Sequence, residues 1–364
     1  MGGSGAQGRH KAGMTPRRIA SDALQRIGRA LFEALGVPEE DAALTTDVFV
    51  DADLRGEESH GMRLLLIHLE RIKAGVIRPM PEITVLRDKG AVALWNANHS
   101  LGQVVGARAM ELAMAKAREF GIGAVSVHAN NSITSVKYYP LMAARAGMIG
   151  MAYSNSYAMM PPEGAMTPKI GNNPMSWAAP GHEEAPFVLD MACTMAAREK
   201  VRQAAAEGLP IPPGWALDRA GNPTTDANEA VASGVQLPFG GYKAFGLSMA
   251  HEILTSALSG GDLSTGKGSG HRPFDNFFNA SHYFQAIDVS FFGDTDEFRG
   301  RVDRLVREVR SAQPRPGVER IFSPGDRGFL EMERRRKQGV PVHPDVLKGI
   351  ERWGRDLGVA INLQ

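Results

Sequence analysis

The sequence predicts an α/β (α+β) protein in which a central sheet domain is inserted in a discontinuous helical domain. Amphipathic helical patterns occupy both ends of the chain, and short apolar, glycine-rich strand patterns fill the middle. We place the helical domain at residues 15–90 and 295–364, and the central domain at residues 91–294. The strands and helices of the middle do not form a regular βαβ series, which argues against a Rossmann domain.

The N-terminal part reads as helices followed by a less regular stretch. Residues 17–36 and 61–75 repeat apolar residues at three- and four-residue spacing and end on glycines. Residues 38–54 open with proline and acidic residues, as helix N-termini prefer. Residues 78–100 have proline breaks and β-branched runs, which indicate strands or loops, and 102–121 predict a strong amphipathic helix.

The central and C-terminal parts continue this reading. The predicted strands are 121–128, 147–155, 185–194 and 282–293, each apolar and rich in glycine or β-branched residues. The predicted helices are 195–208, 240–261 and 294–312, followed by a helical tail at 324–359.

Composition excludes several classes of function. The formal net charge of +1 gives no electrostatic reason to expect nucleic acid or a membrane surface as partner. No apolar run is long enough for a membrane span. A single cysteine, Cys193, excludes a disulfide framework and fits a reducing compartment, so we expect a cytoplasmic protein. No histidine spacing indicates a metal site.

The first 14 residues predict a disordered leader or an expression tag. They contain no hydrophobic segment of the kind a secretory signal needs. They do contain GSGAQG, a literal G-x-G-x-x-G, but no strand precedes it and no helix directly follows. We therefore discount it as a dinucleotide fingerprint.

Several segments in a fixed order resemble one family. They are DADLRGEESHG (51–61), KIGNNPMSWAAP (169–180), PFVLDMACTMAAREKV (186–201), GLPIPPGWALDRAGNPTTD (208–226), LPFGGYKAFGLSMAHEILTSALSGG (237–261) and SPGD (323–326). Over residues 15–357 the chain resembles the malate/L-lactate dehydrogenase type 2 family of NAD(P)-dependent oxidoreductases. The resemblance implies a non-Rossmann fold with a largely antiparallel central sheet, a homodimer, and NADPH or NADH bound at an interdomain cleft.

The histidine of SHG is the expected proton donor. Reduction of a carbonyl or imine leaves charge on the heteroatom, and an imidazole with a pKa near ~6.5 can quench it. By resemblance this donor is His60, with Ser59 orienting the ring and capping the next helix, and Gly61 permitting close approach. The alternative is an exposed histidine at a helix start.

The substrate side departs from the family in two places. Relatives typically carry an arginine four positions after this histidine to hold a substrate carboxylate, but here that position is Leu64 and Arg63 lies one residue earlier. Arg63 is either a displaced clamp or a solvated residue. Arg55 and His68 are other candidates for a polar contact there.

The second departure lies in HANNSITSVKYYP. Aligning its two tyrosines puts Ser132 where relatives carry a second histidine, and Lys137 where they have a small residue. Ser132 can donate and accept a hydrogen bond but cannot store a proton at neutral pH. Either the substrate has changed or the loop has simply drifted.

The cofactor side matches the family more closely. Asp190 follows an apolar strand, where a buried carboxylate needs a partner or a function, although it could merely cap the next helix. Lys243 opens a glycine-led helix, where backbone N–H groups and a positive charge suit a phosphate. We expect Asp326 to act as the N-cap of the C-terminal helix. The cofactor residues implied by the resemblance are Leu189, Asp190, Met191, Tyr242, Lys243, Gly325 and Asp326.

These observations predict an NAD(P)H-dependent reductase of a small 2-oxo acid or cyclic imine. His60 donates the proton, with Asp190 or Ser132 as a relay, and Ser59, Arg55 and Arg63 contact substrate. The runner-up is a specialised biosynthetic imine or ketone reductase with a pocket remodelled around Leu64 and Ser132. A non-catalytic, nucleotide-binding relative is the alternative from a different class.

Overall fold

The computed structural model describes residues 16–268, 274 and 276–363. The leader assigned to residues 1–14 lies outside these residues. The helices are α1 Ser21–Ala34, α2 Glu39–Leu54, α3 Met62–Lys73, α4 Gly102–Phe120, α5 Tyr138–Arg145, α6 Arg198–Glu207, α7 Ala227–Ser233, α8 Tyr242–Glu252, α9 Thr295–Arg310, α10 Asp326–Gln338 and α11 Pro344–Leu357. The strands are β1 Arg17–Ile19, β2 Thr84–Lys89, β3 Val92–Asn96, β4 Ile122–Asn130, β5 Ile149–Ser154, β6 Met175–Ala179, β7 Phe187–Met191, β8 Ala216–Leu217, β9 Pro223–Thr224, β10 Ala280–Ile287 and β11 Val340–Val342.

Helices from both ends of the chain share one apolar core. It contains buried residues between Ile19 and Val104 and between Met332 and Trp353, and it joins α1, α2 and α3 to α10 and α11. Antiparallel pairing of β1 with β11 ties the two chain ends together. The two halves of the helical part therefore complete one another. The domain boundaries assigned from the sequence stay a prediction.

A seven-stranded sheet occupies the middle of the chain. Its strand order is β2-β3-β4-β10-β5-β6-β7, and every neighbouring pair is antiparallel except β3 with β4. α4 packs on β4 and β10, and α5 packs on β5 and β6. The predicted α/β class with a largely antiparallel, non-Rossmann sheet is confirmed.

Several assignments from the sequence are wrong at short elements. Residues 17–19 form β1 rather than the start of a helix, because their backbone pairs with β11 more than 300 residues away. The sequence pattern does not predict β6 or α7, of five and seven residues. The helix predicted at 240–261 contains a π-helical turn, Ile253–Ala257.

The last strand of the sheet forms one wall of a cleft. β7 has a single strand neighbour, β6, and the backbone N–H of Val188 donates to the carbonyl of Pro324 at 3.3 Å. The loop before α10 therefore lies against β7. In the described part of the chain, no helix combines the length and the apolarity needed to cross a membrane.

Gly102 holds the loop after β4 against the start of α4. A Cβ at this position would overlap the backbone carbonyls of Asn131 and Ser132. We expect Gly102→Ala to lower the unfolding free energy by about 2 kcal/mol, because the loop backbone must move.

The matched control is Gly300→Ala in α9, where a Cβ meets nothing within 4 Å. It should be neutral or stabilise by up to about 1 kcal/mol through helix propensity. Thermal and urea denaturation followed by circular dichroism measures both variants. Equal midpoints for the two would contradict the close packing described.

Candidate active site

The turn between α2 and α3 carries His60. The backbone N–H of Met62 donates to the carboxylate of Asp53 at 2.8 Å, and a Cβ at Gly61 would overlap that carboxylate. Glycine is therefore required at position 61, as expected. Asp53 and not Ser59 caps the start of α3, so the capping role expected for Ser59 is wrong.

Ser59 contacts the imidazole instead. Its Oγ lies 3.0 Å from Nδ1 of His60, which restrains the ring. His60 is exposed, and partial desolvation by the surrounding protein lowers the pKa of the imidazole. The neutral form is therefore favoured near neutral pH.

A cleft of about 750 Å³ lies beside this turn. The backbone N–H of His60 donates to the carbonyl of Glu57, and the Glu57 side chain lines the cleft. The lining comes from four places: the turn directly after α2, the loop before α5, β7, and α10 with the loop before it. The residues are Arg55, Gly56, Glu57, Lys137, Val188, Asp190, Phe322, Ser323, Pro324, Gly325, Arg327, Gly328, Glu331 and Arg335.

A buried lysine joins two walls of the cleft. The ammonium of Lys137 forms an ion pair with Glu57 and lies 3.7 Å from the carboxylate of Asp190, while Ser135 donates to Glu57 at 3.3 Å. Only 9% of the Lys137 side chain is exposed, and burial lowers its pKa. In the sequence, this lysine stands out only as a departure from the family. The sign of this lysine in the sequence is a single charged residue beside an apolar run.

Asp190 faces the cleft from β7. Burial raises the pKa of its carboxyl group, and the nearby charges of Lys137 and Arg55 oppose that rise. α6 begins eight residues later, after Ala197, so the alternative that Asp190 caps this helix is wrong. Leu189 and Met191 are its neighbours on the strand, where side chains alternate between the two faces.

Arg55 is held firmly in the cleft wall. Its Nε donates to Asp51 at 2.8 Å in a pair that is almost fully buried, and its guanidinium lies 4.7 Å from the centre of the Phe329 ring. The guanidinium is therefore already matched by a carboxylate of the same helix.

The family's arginine position is apolar here. Leu64 is 5% exposed and belongs to the helical core. Arg63 forms an ion pair with Glu199 of α6 at 3.0 Å and lies outside the residues that line the cleft. His68, one turn beyond Leu64, is buried beside Gln103, with 3.1 Å between their Nε2 atoms. Neither Arg63 nor His68 contributes a side chain to the cleft wall.

Ser132 also lies apart from the cleft lining. Its Oγ accepts a hydrogen bond from the backbone N–H of Thr134 at 3.2 Å, and Gln103 donates to the Thr134 hydroxyl at 2.5 Å. Thr134 adopts a positive φ of 65°. The hydroxyl of Ser132 thus stabilises a strained turn, and its catalytic role stays a prediction.

The loop before α10 presents Gly325 to the cleft. Gly325 has a φ of 100°, and a Cβ there would lie 3.2 Å from Val188, so a side chain is excluded. Asp326 is the first residue of α10 and not its N-cap, contrary to expectation. Its carboxylate accepts from the Ser323 N–H and from Nε and Nη2 of Arg310, leaving it committed to the protein.

Tyr242 and Lys243 lie at the start of α8, outside the cleft lining. Both are exposed. A hydrogen bond links the segment before α8 to the segment after β7. The Phe239 N–H donates to the carbonyl of Cys193, two residues beyond that strand. Among the described residues, no group of three or more His, Cys, Asp or Glu side chains is arranged to hold a metal ion.

Comparison with known proteins assigns the class. A model of the malate/L-lactate dehydrogenase family matches residues 19–351. The malate dehydrogenase of Pyrococcus horikoshii is 38% identical over 355 residues, covering 94% of this chain and 96% of that protein. Its solved structure aligns with a TM-score of 0.87 at 36% identity, covering 96% of this chain and 99% of that one. The fold is thus that of a dehydrogenase of this family.

Two further relatives carry the name of a cofactor. Ureidoglycolate dehydrogenase (NAD(+)) of Escherichia coli is 29% identical over 90% of this chain and 93% of its own. (2R)-3-sulfolactate dehydrogenase (NADP(+)) of Chromohalobacter salexigens is 33% identical over 76% of this chain and 83% of its own. The chain belongs to the malate/L-lactate dehydrogenase family. The prediction of an NAD(P)-dependent oxidoreductase is confirmed at this level.

The buried carboxyl of Asp53 makes stability depend on pH. Burial raises its pKa from 3.8 to about 7. Because the folded-state pKa is raised, the stabilisation is complete below the unfolded value and is lost as pH rises to about 7. Relative to Asp53→Asn, the wild type should lose on the order of 4 kcal/mol of unfolding free energy across this range.

Urea denaturation of both proteins at a series of pH values measures this difference. The asparagine can still accept the Met62 N–H, so the comparison isolates the titration. A constant difference between the two proteins across the range would contradict a buried, protonated Asp53.

Proposed function

We propose that the protein is an NAD(P)H-dependent reductase that transfers hydride to the carbonyl or imine carbon of a small 2-oxo acid or cyclic imine, with His60 as proton donor. The observation that carries this is the imidazole restrained by Ser59 in the turn that also supplies Glu57 to the cleft. The nicotinamide supplies the hydride. The protein must orient the acceptor and deliver one proton.

The cleft suits a dinucleotide. Its loop wall at Ser323–Gly325 has no side chain at position 325, which lets a ligand approach the backbone closely. Asp190 offers a carboxylate to ribose hydroxyls or a carboxamide. We assign the cofactor contacts to Asp190 and the Gly325 loop, with Leu189, Met191, Tyr242, Lys243 and Asp326 as further expected contacts.

A specialised imine or ketone reductase is the second candidate. Leu64 is buried in the core, and the guanidinium of Arg63 is engaged by Glu199. Neither side chain offers the cleft a free cation for a substrate carboxylate. This favours an acceptor that the enzyme binds without a carboxylate clamp.

The unpartnered helix face at α8 supports a homodimer. Tyr242, Met249 and Ile253 are between 48% and 65% exposed, and they lie near one face of the helix formed by α8 and the π-helical turn. A continuous apolar face of this kind marks an interface, and self-association buries it twice.

The buried, free thiol of Cys193 agrees with a reducing, cytoplasmic location.

The roles of His60 and the substrate are tested together by NADH and NADPH oxidation. The panel is pyruvate, oxaloacetate, phenylpyruvate, 2,3-diketogulonate, Δ1-piperideine-2-carboxylate and carboxylate-free cyclic imines. His60→Ala should lower kcat by about 10²- to 10⁴-fold on the acceptor that is turned over. Reduction should slow as pH rises through the His60 pKa, below its ordinary value of 6.5, and the reverse oxidation should speed up.

Turnover of a 2-oxo acid supports the first candidate, and turnover of carboxylate-free imines alone supports the second. Turnover that survives in His60→Ala with an unchanged pH profile would remove His60 from the chemistry. Cofactor binding without oxidation of any acceptor would favour the non-catalytic alternative.

The dimer is tested by light scattering after size-exclusion chromatography. Ile253→Glu places a charge on the apolar face and should shift the protein from dimer to monomer. Phe292→Glu is the matched control, because Phe292 is 73% exposed in the turn before α9. A monomeric wild type, or dissociation by the control alone, would place the interface elsewhere or remove it.

A further inference from the structure

Two arginines converge on one aromatic ring at the cleft. The guanidinium carbons of Arg320 and Arg327 lie 5.3 and 4.8 Å from the centre of the Phe322 ring. Phe322 and Arg327 line the cleft directly. Contact with the ring fixes the guanidinium groups and lowers the entropy cost of ligand binding.

The nearby carboxylates are committed to other arginines. Asp326 accepts from Nε and Nη2 of Arg310, one on each oxygen, and its two oxygens are therefore occupied. Glu331, one helical turn from Arg327, binds the guanidinium groups of Arg334 and Arg335. In the described part of the chain, neither Arg320 nor Arg327 forms an ion pair.

The cleft thus contains two differently charged regions. Lys137 is matched by Glu57 and Asp190 beside the turn that carries His60. The region around Phe322 instead holds two arginines whose neighbouring carboxylates, Asp326 and Glu331, are hydrogen-bonded to other arginines. A dianion bound there interacts favourably with both guanidinium groups.

We propose that Arg320 and Arg327 bind a phosphomonoester on the adenosine ribose of the dinucleotide, so that the enzyme prefers NADPH to NADH. This rests on the proposed function, which places a nicotinamide dinucleotide in the cleft. A phosphomonoester carries about −1.5 to −2 charges and three acceptor oxygens, and arginine donates to such a group through two parallel N–H bonds. Phe322 and Arg327 line the cleft, and the guanidinium group of Arg320 lies beside the same ring.

The test uses nucleotides that lack the nicotinamide, so it does not depend on turnover. Isothermal titration compares 2′,5′-ADP, 5′-ADP and 5′-AMP binding to the full chain. 2′,5′-ADP should bind at least about tenfold more tightly than the other two, since charge-assisted hydrogen bonds are the strong ones. Comparison with 5′-ADP separates the position of the phosphate from the number of phosphates.

Variants assign the effect to the two arginines. Arg320→Ala and Arg327→Ala should each weaken 2′,5′-ADP by about tenfold and leave 5′-AMP and 5′-ADP unchanged. Arg336→Ala is the matched control, because Arg336 is exposed on α10, about 13 Å further along the helix. It should leave all three affinities unchanged.

Each contrary result has a separate meaning. Equal affinity for all three nucleotides, or equal weakening of all three in both arginine variants, overturns the phosphate site and leaves the proposed reductase intact. Oxidation of NADH and NADPH with the same KM would likewise overturn the phosphate site and leave the proposed reductase intact. No binding of any adenosine nucleotide, together with no oxidation of either cofactor, overturns the site and the proposed function alike.

Discussion

Charge neutralisation inside the cleft fixes how its walls meet. The ammonium of Lys137 is almost fully buried, and an isolated charge there would be costly, so Glu57 and Asp190 must remain beside it. Glu57 belongs to the turn after α2, and Asp190 belongs to β7. Through Lys137, the position of the His60 turn is therefore coupled to the edge of the sheet. The buried pair of Arg55 and Asp51 strengthens the same wall.

Sequence pattern predicts the long elements and fails at the short ones. Helical periodicity places α4 and α9 well, since each offers four or more turns of a repeating apolar face. β1 is different, because its conformation is set by β11, which no local window contains. β6 is not predicted, because five residues in a loop-like context show little alternation of apolar and polar side chains. Its pairing to β5 and β7 decides its structure.

The candidate site shows the same division. His60, Arg55, Asp190 and Gly325 are accessible to motif reasoning, because each occupies a matched stretch, and the structure brings the last three into one cleft with the His60 turn beside it. The ion-pair partners of charged side chains cannot be predicted from motifs. The engagement of Arg63 by Glu199, and that of Asp326 by Arg310, joins residues 136 and 16 positions apart. Such distant partners decide whether a charged side chain is available to a ligand.

Pairing of β1 with β11 also has a consequence for synthesis on the ribosome. The core of α1 to α3 includes residues between Met332 and Trp353, which are translated after every strand of the seven-stranded sheet. Until then the nascent chain carries an unfinished apolar surface at its N-terminal end, while the sheet residues are already available to pair. Vectorial folding from the N-terminus cannot complete this part first, so holding chaperones have a defined surface to protect during elongation.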